Sequence, residues 1–88
     1  MSETTQKLKN CLTSALSPVT LDIQDDSALH AGHAGNTGGG HYSIVIISKF
    51  FEGLPLIKRH KLVYEAAADL MKTEIHALSI QAKTPSEN

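Results

Sequence analysis

Three of the chain's five histidines, His30, His33 and His41, fall in one stretch from Asp26 to His41 that also holds five of its six glycines. Neutral imidazole is the commonest side-chain metal ligand. Glycine takes backbone conformations that other residues avoid, and long loops inside compact domains are usually functional or disordered. Histidines concentrated in such a loop, between two strand-like segments, make a candidate ligand site. A fourth histidine, His76, sits in a later strand-like segment, where its parity with Leu78 and Ile80 offers a plainer role at the edge of the core. His60 lies at helical spacing from Ile57 and Tyr64 and reads as a buried, hydrogen-bonded structural residue. His41, just ahead of a strand, reads as support for the loop. Cys11 falls on the apolar face of a helix, where a small hydrophobe is expected.

The elements that must hold these residues follow from hydrophobic period. Leu8, Cys11, Leu12, Ala15 and Leu16 recur at helical spacing and predict an amphipathic helix over about 3–16, ended by Ser17-Pro18. Val19, Leu21 and Ile23 alternate with polar residues, the pattern of a half-buried strand over 19–25. Tyr42–Ser48 is β-branched and apolar on both faces near its middle, which predicts a central strand. Phe50–Pro55 makes a turn. Ile57, His60, Leu62, Val63, Ala66, Ala67, Leu70 and Met71 give a helical stripe over 56–72, with Pro55 dividing a short turn from a long helix. Ile75–Ala82 is a strand and 84–88 a polar tail. The order is α-β-β-α-β. A long helix before the last strand permits a parallel crossover, whereas the first two strands can pair antiparallel as an enlarged hairpin. Helices on one face of a small mixed sheet make a two-layer α+β domain spanning 1–88.

The same residues carry a resemblance. Asp26-Ser27-x-x-His30, His41-Tyr42, Ser48-x-x-Phe51-x-Gly53, Arg59-His60-Lys61-Leu62-Val63-Tyr64 and Ile75-His76-Ala77-Leu78-Ser79-Ile80 stand in an order that resembles the BolA family over almost the whole chain. The resemblance implies an α-β-β-α-(α)-β fold similar to class II KH domains, with a three-stranded mixed sheet. It implies a monothiol glutaredoxin bearing a CGFS motif as partner. In such a heterodimer the glutaredoxin cysteine and glutathione hold one iron of a [2Fe–2S] cluster, and the BolA-like chain holds the other. His76 matches the family's strand ligand and His30 its loop ligand. His33 is a possible substitute, because this chain adds it within His30-Ala31-Gly32-His33. No cysteine stands in the loop, which puts the chain with the histidine-ligand branch, and the family's C-terminal aromatic is absent. No cofactor is expected on the isolated protein, which reads as a monomer when apo and a heterodimer with its partner. Two imidazoles in place of two thiolates resemble Rieske-type ligation, which raises a cluster's potential. They also make the ligands protonatable near neutral pH.

The second surface is the basic run Lys58-Arg59-His60-Lys61 with Lys49 nearby, a candidate nucleic-acid or partner surface formed by Lys49, Lys58, Arg59 and Lys61. A DNA-binding transcriptional regulator is the rival function, and a stand-alone histidine zinc site the third. A KH domain clamps a nucleic-acid backbone with Gly-x-x-Gly, but Gly53-Leu54-Pro55-Leu56 has no second glycine. The formal charge is −1, so global charge makes no case for DNA. No serine–histidine–acid order, P-loop or convergent carboxylate pair appears, so no enzyme activity is expected. A single cysteine forms no internal disulfide. The longest apolar run, Ile44–Ile47, is far short of the ~20 residues that span a bilayer. No signal or transit pattern follows Met1, so the expectation is a cytoplasmic protein with no membrane association.

Overall fold

The computed structural model describes residues 3–26 and 40–87. Helix α1 (Glu3–Leu16) places Leu8, Leu12 and Leu16 in the core, as its spacing requires. It stops where Ser17 takes a positive φ of 42° ahead of Pro18. The residue before proline is disfavoured in the helical region, which makes this a firm terminus. Strand β1 (Thr20–Asp25) then pairs antiparallel with β2 (Gly40–Ile47), in a register that sets Ile23 opposite Ile44. Val19 does not enter the core as period two predicts. Its N–H bonds the Ile47 carbonyl at 2.8 Å, but its side chain is 69% exposed.

A 3-10 turn (Lys49–Phe51) follows β2 and buries Phe51 completely. Its start is held by Ser48, whose buried hydroxyl donates to the Leu16 carbonyl at 2.6 Å and accepts from the Phe50 N–H at 3.1 Å. Gly53 has a φ of 75° in the turn that leads to α2 (Leu56–Ala66). Helix α3 (Ala68–Thr73) comes next, then β3 (Ile75–Lys83), which pairs parallel with β2. The sheet order is β1-β2-β3. The core, Leu8, Leu12, Tyr42, Ile44, Ile46, Phe51, Val63, Leu70, Ile75 and Leu78 among others, lies between the sheet and the three helices.

The helical segment after the turn departs from expectation in two ways. Pro55 divides the 3-10 turn from α2, at whose N-cap it sits, but the helix itself breaks further on, at Ala67 (φ −101°, ψ 15°). The bonds from the Ala67 N–H to the Val63 carbonyl and from the Met71 N–H to the Ala67 carbonyl carry the chain through the bend. A fully buried methyl side chain lets the two helices bend there without a void. The buried stripe also runs through Arg59, Val63, Ala67 and Leu70, so Ile57 is 79% exposed and His60 only half-buried. Buried charge requires a partner, and Arg59 has several. The expected polar tail is likewise not free: Thr84 is 1% exposed, and Pro85–Glu87 form a 3-10 turn back against the domain.

Candidate functional site

At one end of the sheet, Gly40 stands opposite Ile75 and His41 opposite Ala77, so His76 is an extra residue in β3 with no counterpart in β2. Such a bulge re-aims side chains and often lies beside functional sites. Strict alternation would set His76 on the side of Leu78 and Ile80, at the edge of the core. The inserted residue changes that: Ile75 and Leu78 both point inward, while His76 and Ala77 both face solvent. His76 is an exposed side chain, not a core-edge one.

The bulge brings His76 beside His41, with ring centroids 5.3 Å apart and planes at 50°. The strand ends are pinned around them. The Gly40 N–H bonds the Glu74 carbonyl at 3.0 Å, and the Asp26 N–H bonds the His41 carbonyl at 2.7 Å. The Asp26 carboxylate accepts from Gln24 Nε2 at 2.7 Å and from the Ser43 hydroxyl. Glycine at position 40 leaves room for the buried Tyr42 ring, since a Cβ there would lie 2.5 Å from Tyr42 Cε2 and force a shift. Behind the pair, the Glu74 carboxyl accepts from the Thr4 hydroxyl at 2.7 Å and the Lys7 ammonium at 3.1 Å. These partners, Thr4 first, hold it below the usual carboxylate range.

His30 and His33 lie outside the described residues. Among the described residues no group of three or more histidine, cysteine or acidic side chains could hold a metal ion. Within that part of the chain, His41 and His76 are the two imidazoles that the fold brings together. The nearness of His41 to His76 was not legible in the sequence, because it depends on the parallel register of β2 with β3, which period alone does not fix.

The basic run is divided by the fold. Lys49, Lys58 and Lys61 are exposed. Arg59, expected with them on that surface, is only 8% exposed and is removed from it. Its Nε donates to the Leu54 carbonyl at 2.8 Å and its Nη1 to the Ala82 carbonyl at 3.1 Å. Nη1 and Nη2 reach the two oxygens of Glu87 at 2.6 and 3.0 Å. The Arg59 guanidinium, with the Thr84 N–H bond as second cause, draws the Glu87 carboxyl down to about 2. Arg59 belongs to a structural network that joins the turn, β3 and the last residues. Its position at helical spacing from Val63, Ala67 and Leu70 was a signal for burial that its charge obscured.

Comparison with known proteins gives the family. A family model described as BolA-like protein matches residues 12–87. The chain belongs to the BolA family. The protein "BOLA1, chloroplastic" of Arabidopsis thaliana is 46% identical over 86 residues, covering 93% of this chain and 54% of that protein. The "DNA-binding transcriptional regulator BolA" of Escherichia coli is 30% identical, covering 93% of this chain and 76% of that one. Among solved structures, the BolA domain of SufE1 from Arabidopsis thaliana superposes with a TM-score of 0.89 at 40% identity, covering 100% of this chain and 99% of that one. The chain thus spans about half the length of its plant BolA relative. That relative's name is chloroplastic, so it lends no support to the cytoplasmic expectation. No helix among the described residues is long and apolar enough to cross a membrane.

Proposed function

We propose that this BolA-family chain is a non-enzymatic adaptor that supplies histidine ligands to a [2Fe–2S] cluster shared with a CGFS monothiol glutaredoxin and glutathione. The observation that carries the reading is the β3 bulge, which presents His76 to solvent beside His41 instead of packing it. Exposed neutral imidazole is a suitable ligand for iron, and an incomplete set on one chain requires a second molecule to finish it. His76 is the strand ligand in this reading, and His30 the loop ligand, with His33 as its substitute. His41, next to His76, orients that ring or takes the place of the loop ligand. Such a cluster supplies one-electron or transferable iron–sulfur chemistry when bound. The chain's own part is to bind, orient and release it, and protonation of the imidazoles offers the route to release.

The test is reconstitution with a CGFS glutaredoxin, glutathione, iron and sulfide, read by visible absorption and circular dichroism. His76→Ala is expected to lower cluster affinity by at least ~10–100-fold, the cost of losing even a residue that only supports a ligand. Unchanged spectra in a His30/His76 double variant would remove the proposal, and zinc bound by the isolated chain would favour the stand-alone site.

The DNA-regulator reading rests on one relative's name and on the exposed Lys49, Lys58 and Lys61. It takes second place because the fold withdraws Arg59 from that surface.

A further inference from the structure

At the end of β3 opposite His76 lies a groove of about 640 Å³ between α2 and the strand. Ala82 lies six residue steps along the strand from His76, or roughly 20 Å at ~3.3 Å each, so the groove is distinct from the histidine site. Its walls are mostly apolar: Leu54 and Pro55 from the turn, Leu56 from the start of α2, Ile80 and Ala82 from β3. Leu56 on this lining is 63% exposed.

β3 is an edge strand. Its Lys83 carbonyl accepts from the Ser48 N–H on the β2 side. Alternation then turns the peptide groups of Leu78, Ile80 and Ala82 to the outer edge. Two of these carbonyls are capped from α2, Leu78 by the Tyr64 hydroxyl at 3.2 Å and Ala82 by Arg59. Between the two capped carbonyls the peptide group of Ile80 faces the groove without such a cap, and the caps limit strand addition to a short segment. At the groove's end the Arg59 guanidinium, with its side chain 10% exposed, grips the Glu87 carboxylate, whose side chain is 47% exposed. Of Arg59's partners, two are backbone carbonyls fixed in the fold, and only Glu87 is a side chain on a terminal turn.

We propose that this groove is a binding site for an extended peptide carrying a carboxylate beside an apolar side chain, and that Glu87 occupies the carboxylate position from within the chain. The incoming carboxylate takes the bidentate place on Arg59, the geometry that arginine favours. The adjoining apolar side chain lies on Leu54, Leu56 and Ile80, and the peptide backbone bridges to Ile80. Lys83 on the lining favours an acidic segment. A carboxylate tethered by a short segment competes at an effective concentration in the millimolar range. The native chain therefore binds weakly, and removal of Glu87's charge strengthens binding.

The probe is acetyl-Leu-Pro-Ser-Glu-Leu-amide, which repeats the residues around Glu87 with leucine on either side, and its Glu→Gln counterpart. Each is titrated into the full chain and followed by amide NMR shifts. Shifts are expected at Ile80, Ala82 and His60 and not at His76. Affinity should rise about tenfold in Glu87→Gln, in line with relief of tethered competition. It should fall in Leu56→Asp, which is exposed and leaves the fold intact. In the unmodified chain the glutamate peptide must still outbind the glutamine one, which keeps the test independent of the folding of Glu87→Gln. Equal binding of the two peptides, shifts indifferent to Leu56→Asp, no shifts at millimolar peptide, or binding of octanoate with no binding of the peptide would each overturn the proposal.

Discussion

The two ends of β3 treat their polar side chains in opposite ways. At its start, an inserted residue turns His76 outward beside His41, leaving the His76 imidazole where another molecule can reach it. Near its end, Arg59 is drawn inward, and its donors are taken by two carbonyls and a carboxylate from three separate segments. Both histidine and arginine bind anions or metals elsewhere in proteins, so residue type alone does not tell the ends apart. Backbone detail does. A bulge exposes one side chain, and a helix stripe buries the other.

The largest effect that would test this contrast is on Arg59. Arg59→Leu strips donors from the Leu54 and Ala82 carbonyls and leaves Glu87 unpaired, and buried acceptors without partners are costly. It should lower the melting temperature more than loss of any exposed lysine. His76→Ala, by contrast, should leave stability within about 0.5 kcal/mol, as exposed substitutions usually do. Equal losses in the two variants, measured by thermal unfolding, would erase the distinction between the ends.

Next in size is Gly40→Ala. Its Cβ meets the Tyr42 ring at 2.5 Å, and overpacking of that kind costs about 1–3 kcal/mol. The urea midpoint should fall, with shifted His41 and His76 ring signals in NMR. A variant as stable as the parent would show that the ring swings aside freely.

A smaller effect separates the ends by pH. Glu87 has a folded value of about 2, below its ordinary range. Its contribution is therefore complete above the unfolded carboxylate value and is lost as pH falls toward 2. Glu74, also lowered, acts with the same sign at the histidine end. Denaturation midpoints followed from pH 6 to pH 2 should drop less steeply in Glu87→Gln than in the parent. A parallel decline would remove Glu87 from the acid response.

The smallest effect is on the lysines. Lys58→Gln with Lys61→Gln should leave melting unchanged within about 0.5 kcal/mol. Any DNA binding should lose roughly 0.9 units of log–log salt slope per phosphate contact removed. An unchanged slope would show that these lysines contact no phosphate.

Most of the fold was legible in the sequence because period two and period 3.6 alternate cleanly, and because Ser17-Pro18 and Gly53 punctuate them. The mixed sheet followed from loop length. The bend at Ala67 was not legible, since three alanines in a row carry no break signal and the bend depends on what packs over them. The candidate site was half legible. His76 stood out by motif, but its exposure needed the inserted residue, and an extra residue in a strand has no marker in side-chain pattern. Arg59 was misplaced because charge was weighed ahead of helical position. Residues 27–39, where His30 and His33 stand, are outside what the structure describes.

The parallel pairing of β2 with β3 carries a consequence for timing. His41 and His76 lie on strands separated in the chain by a 3-10 turn and two helices, and they meet only when that pairing forms. Contacts between parts distant in sequence form late, because loop closure must be paid before they are rewarded. A chain still emerging from the ribosome has made His41 long before β3 exists to receive it. The pair that the proposed site uses therefore exists only once β3 has joined β2, and a nascent chain presents single imidazoles and not the pair.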